Sequence, residues 1–124
     1  MEDLFCATFI FQKGEFTDEF HRFDKVIADY AKQTKGYLGE ESYENNENSQ
    51  VINLYYWKGL DGLKDLMEHE IHLKAKKQEA KWLRGYQVTI SKIVAAYNDR
   101  QIPHPLKSTL LKPDFLPIFQ KRTE

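Results

Sequence analysis

The run 4-LFCATFIF-11 is apolar on both of its sides. In a strand successive side chains point to opposite faces, which puts Leu4, Cys6, Thr8 and Ile10 on one and Phe5, Ala7, Phe9 and Phe11 on the other. The run is β-branched and aromatic, too short for a typical helix, and leads into Gly14. A strand dry on both faces belongs inside a sheet covered twice, so the fold must supply two covering layers.

The periodicity that follows says what one layer is. From Thr17, a plausible N-cap, Phe20, Phe23, Ile27, Tyr30 and Ala31 recur at helical spacing, and Gly36 lies just past the end. The runs 37-YLGEESYE-44 and 50-QVINLYYW-57 flank the polar turn 45-NNENS-49 and read as a β-hairpin. Residues 60 to 82 return to helical spacing through Leu60, Leu63, Met67, Ile71 and Ala75, with Gly62 and crowded charge allowing a break near Glu68. Last, 86-YQVTISKIVAAY-97 sets Val88 and Ile90 against Gln87, Thr89 and Ser91, which is strand periodicity. The order βαββαβ predicts an α+β, ferredoxin-like subunit whose right-handed crossovers put both helices on one face of an antiparallel sheet. The second layer must then come from elsewhere. Residues 50–57 are also apolar or aromatic on both sides, so the expected cover is a second copy packed sheet against sheet, a two-fold homodimer.

A length of 124 residues fits one domain, here 1–97, followed by an extension at 98–124. All four prolines fall in that extension, which excludes a long helix or a central strand there. Ile102, Leu106, Leu110, Leu111, Phe115, Leu116, Ile118 and Phe119 are too many apolar groups for a solvated linker. An extended arm docked on the domain or on the partner subunit is expected. Eighteen Lys and Arg against nineteen Asp and Glu give a net charge of −1, so no basic field favours nucleic acid. The single cysteine, Cys6, excludes an internal disulfide framework and a Cys-rich zinc site. The acidic N-terminus lacks a basic leader and its apolar run is far short of a bilayer span, so a cytoplasmic protein without a membrane partner is expected.

The stretch 68-EHEIHLKAKKQEAKW-82 is rich in titratable groups. On a helix His69 and His72 share a face. Their spacing is one residue short of the HExxH pattern of zinc proteases, and nothing singles out Glu68 or Glu79 as further ligands, so no metal site is predicted. The plainer reading makes both histidines polar-face or helix-end residues. Asn53, Tyr55 and Trp57 point the same way along their strand; an amide, a phenol and an indole on one side can line an aromatic pocket. The alternative for Trp57 is a core tryptophan with a satisfied N–H. Cys6 fits a small buried hydrophobe, and Trp82, Tyr86 and Tyr97 fit packing roles.

Gly36 to Ser42 (GYLGEES), the Tyr56–Trp57 pair ending a strand, His72 and Ala75 as His-x-x-Ala, and the aromatic-led 82-WLRGYQVTISKIV-94 resemble the antibiotic biosynthesis monooxygenase family. The resemblance covers most of residues 3–97. It implies a dimeric α/β barrel of ferredoxin-like subunits and a small-molecule monooxygenase, cofactor-independent, acting on an aromatic or phenolic substrate. It further implies Asn53, Trp57 and His72 as catalytic residues, with Tyr55, His69 and Phe9 binding the substrate. The tyrosine and arginine that complete the family's quinone-forming site fall near Leu63 and Lys77 here. Haem-degrading members imply an Asn on the first strand and a late helical His, where this chain has Phe5-Cys6-Ala7-Thr8 and Lys76. The alternative is a non-catalytic dimer that binds a small molecule, or haem through His69 or His72.

Overall fold

The computed structural model describes residues 3–14, 18–69 and 83–106. The elements are β1 (Leu4–Lys13), α1 (Asp18–Ala31), β2 (Tyr37–Asn45), β3 (Gln50–Lys58), α2 (Asp61–Glu68) and β4 (Leu83–Lys92). The strands form one sheet in the order β2-β3-β1-β4 with every neighbouring pair antiparallel, which is the split βαβ arrangement expected. The doubly apolar β1 is a central strand. Thr17, and with it the expected cap of α1, lies outside the described residues.

Register assigns the two faces. Ala7 pairs with Tyr55 and Phe9 with Asn53 and Val88, so these residues point toward the helices. There Ala7, Phe9, Tyr55 and Trp57 pack with Ala31 of α1 and Leu63 and Leu66 of α2, ringed by Ile27, Tyr30, Phe11 and Met67. Cys6 pairs with Tyr56 on the opposite, outer face, where both are buried with Leu106 and flanked by Leu54, Ile93 and Ala96. Part of that face is therefore covered by the chain after β4. Residues 107–124, which hold most of the extension's apolar groups, lie outside the described residues.

One boundary differs from expectation. β4 runs from Leu83 to Lys92 rather than over 86–97, because the ladder with β1 runs out: Ile93 donates its N–H to the Leu4 carbonyl at the first residue of β1, 2.8 Å, and no strand lies beyond among the described residues. α2 ends at Glu68, near the break that Gly62 and the crowded charges allowed, and His69 is extended at φ −65°, ψ 141°. Its last turn carries no basic residue, and an acidic side chain at the negative end of the helix dipole is unfavourable. His69 is therefore not a residue of the helix. His72 itself lies outside the described residues, as do Ile71, Ala75 and Trp82.

Candidate functional site

The sheet face beneath the helices gathers more hydrogen-bonding groups than alternation alone predicts, and a bulge is the reason. Tyr37 pairs with Trp57, but Gly39 pairs with Tyr56, so Leu38 is an extra residue in β2. Gly39 takes φ +147°, a conformation glycine adopts freely. Because of the shift Tyr37 and Glu40, three apart, face the helix side together. The Tyr37 hydroxyl donates to Glu40 Oε1 at 3.1 Å, and Tyr55 lies directly across from Glu40 in the ladder.

Asp24 of α1 completes the group. Asp24 is an exposed residue, yet desolvation by the surrounding protein raises its proton affinity, nearby negative Glu40 raises it further, and His21 opposes both. Burial, then the Glu40 charge, pushes the Tyr37 and Tyr55 hydroxyls well above the ordinary phenol range. Both phenols stay protonated and act as donors. The arrangement places two hydroxyl donors and two acceptors beside an aromatic wall. Phe9 meets Tyr55 edge to face with ring centres 5.8 Å apart, and Tyr55 stacks on Trp57 at 5.9 Å.

The linkage of Asp24 has a definite sign. A carboxyl with a raised folded pKa holds its proton longer in the folded chain, so its ionisation lowers stability as pH rises above the ordinary value of 3.8 and through the folded value. Asp24→Asn is accordingly expected to be more stable than the unsubstituted protein at neutral pH. The difference should vanish below about pH 4, where the unfolded carboxyl is protonated too. Urea midpoints of both proteins across pH 3 to 7 measure it; an equal or lower midpoint for the variant at pH 7 would remove the assigned burial.

The structure brings Phe9, Asn53, Tyr55 and Trp57 to one face and gives them different situations. Asn53 is half-buried; its Oδ1 accepts from Ser42 Oγ at 2.7 Å, and its amide N–H2 has no partner among the described residues. Trp57 shows no solvent exposure, and its Nε1–H donates to Thr34 Oγ1 at 2.8 Å. Thr34 in turn donates to the Ala31 carbonyl at 2.6 Å. The indole thus joins the sheet to the end of α1, with its one donor engaged. Phe9 is buried in the same core. The His69 ring lies 3.6 Å from that of Tyr30, whose hydroxyl donates to Asp65 at 2.8 Å.

Asp24, Tyr37 and Glu40 escape a reading by strand alternation. Regular alternation puts Tyr37 and Glu40 on opposite faces. The available signal was Gly39, since an isolated glycine within a strand marks a bulge. Among the described residues no group of three or more His, Cys, Asp or Glu could hold a metal ion, and no helix is long and apolar enough to cross a membrane.

No family model matches the sequence, and no curated protein does. Solved structures match in fold. A candidate antibiotic biosynthesis monooxygenase from Nitrosomonas europaea superimposes with a TM-score of 0.62 at 9% identity, over 76% of this chain and 93% of that one. A conserved protein from Methanosarcina mazei gives 0.62 at 15% identity, over 73% and 92%. SnoaB, a cofactor-independent oxygenase from Streptomyces nogalater, gives 0.59 at 9% identity, over 82% and 100%. At such identities the likeness is one of fold.

Proposed function

Starting from a chain with the fold of the antibiotic biosynthesis monooxygenases, we propose that it is a cofactor-independent oxygenase acting on a phenolic substrate held between the sheet and the helices. The carrying observation is the Asn53 amide, without a partner among the described residues, on the same face as an aromatic wall and the Asp24–Glu40 carboxylates. One solved structure of this fold is that of a cofactor-independent oxygenase, which is consistent with this reading. We also infer a homodimer paired through the outer sheet faces, because Ile10 and Ile52 pair there without full burial and Tyr43 is 54% exposed.

In this reading the Asn53 amide donates to the phenol oxygen, and Asp24, whose proton affinity is raised, takes the phenol proton. Tyr37 holds Glu40 in place beside it. The aromatic wall excludes water, so the phenolate is a stronger reductant toward O2 than it is in bulk solvent. Oxidation of a phenol to a quinone releases four electrons and O2 takes up four. One oxygen atom enters the ring where a C–H breaks, and the other leaves as water. The substrate supplies every electron. Trp57 serves as the wall's support rather than as a donor, and His72 is left without an assigned step.

Oxygen uptake by the purified protein with a panel of phenols and hydroquinones tests the proposal. Uptake with at least one of them is expected, and Asn53→Ala should slow it about tenfold, the cost of one hydrogen bond to a charged oxygen. Binding without uptake, lost in Asn53→Ala, would turn the site into a non-catalytic receptor for small aromatic molecules. Neither binding nor uptake would remove the site.

A further inference from the structure

Residues 104–106 are fastened to the outer sheet face at three points. Pro105 lies over Gly39, where a side chain has no room: a Cβ there would come within 2.7 Å of Pro105 Cβ. His104 Nε2 sits 3.0 Å from Glu41 Oε2, and its ring meets Tyr56 edge-on at 5.2 Å. The Leu106 N–H donates to His104 Nδ1 at 2.9 Å, which leaves the ring proton on Nε2, directed at Glu41. Glu41 also accepts from the hydroxyls of Tyr43 at 2.6 Å and Tyr56 at 2.8 Å. Leu106 closes the set by burying itself against Cys6 and Tyr56.

The connection leading to this anchor is built differently. Residues 98–102 bond to themselves: Asn98 Nδ2 donates to the Ile102 carbonyl, and Asn98 Oδ1 and Asp99 Oδ1 accept from the N–H groups of Arg100 and Gln101. Arg100 sits at φ +74°, a strained conformation for a side chain of its size, and Ile102 is 66% exposed. A self-contained exposed turn ahead of a three-point anchor has the construction of a hinge.

Packed sheets lie about 10 Å apart, a gap filled by their own side chains with no room for a further length of backbone. Residues 104–106 and a second sheet therefore cannot occupy the same part of the face. We propose that 104–106 form a strap, hinged at 98–102 and latched by His104 on Glu41, that covers the Cys6–Tyr56 part of the outer face of a single subunit and leaves it when a second copy packs there. The competition rests on the paired-subunit reading above; the strap and its latch do not.

Cys6, the one cysteine in the chain, lies under Leu106 and reports strap opening directly. The full-length protein at low micromolar concentration is treated with an aromatic disulfide reagent. His104→Ala and Glu41→Gln are expected to react about tenfold faster at Cys6, by loss of one charge-assisted bond, with a urea midpoint lowered by no more than that one bond accounts for. The same variants should reach half-dimer at about tenfold lower concentration in sedimentation velocity. Leu106→Cys, oxidised so that the introduced thiol forms an intrachain disulfide with Cys6, should stay monomeric until reduced. A Cys6 rate unmoved by either variant, or failure of that disulfide to form, overturns the strap even if the protein dimerises. Faster Cys6 reaction with no dimer at any concentration overturns the paired-subunit reading and the competition with it.

Discussion

Replacing Trp57 with alanine is expected to remove about 3–5 kcal/mol of folding stability, the usual cost of emptying a large buried aromatic site. Domains of this kind have only about 5–15 kcal/mol in all, so the loss is a large fraction of the total. The size follows from complete enclosure: Trp57 contacts both helices' core residues and fastens Thr34, and nothing nearby can collapse into its volume without moving Leu63 or Leu66. Trp57→Phe separates packing from bonding. It keeps most of the ring volume and leaves Thr34 without its donor, a loss of about 1–2 kcal/mol. Urea denaturation of both variants checks the pair. If Trp57→Ala retained the full urea midpoint and lost only ligand binding, the indole would belong to a pocket and not to the core.

Gly62→Ala is the second large effect, and its sign runs against helix propensity. Alanine in a helix is favoured over glycine by up to about 1 kcal/mol. Gly62 lies in α2, yet a Cβ there would overlap the Lys35 carbonyl oxygen and come within 2.8 and 2.9 Å of Cδ1 and Nε1 of Trp57. The carbonyl is backbone and the indole is locked by Thr34, so neither yields cheaply. Overpacking of about 1–3 kcal/mol, with the backbone overlap toward the upper end, exceeds the propensity gain. A net loss of about 2 kcal/mol is expected from the shift in urea midpoint. A stabilised Gly62→Ala would show that α2 slides freely on the sheet.

Features written as period and composition were legible in the chain: the two-sided β1, the hairpin around 45-NNENS-49, and the order βαββαβ. Those set by one residue against its neighbours were not. The bulge at Leu38 shifts parity by a single position, and Tyr37 meets Glu40 only because of it. The end of β4 is fixed by the length of β1, a strand near the other end of the domain. Asp24 is one of several charges on an amphipathic helix, and its raised proton affinity depends on desolvation by the folded chain and then on Glu40 arriving from β2. The Asn53, Tyr55 and Trp57 alignment followed from alternation, whereas the enclosure of Trp57 needed Gly62 and Thr34 to be seen beside it.

The central position of β1 also carries a cost in time. Its partners are β3, at residues 50–58, and β4, at residues 83–92. During synthesis at roughly 5–20 residues per second, β1 waits about 2–9 seconds for its first neighbour and about 4–16 seconds for its second. Until β3 emerges both edges of an apolar strand are open to any other nascent chain, and one stays open until β4 follows. Residues 4–11 are therefore the segment that a ribosome-associated chaperone has most reason to hold, until Lys92 has emerged and the ladder can close.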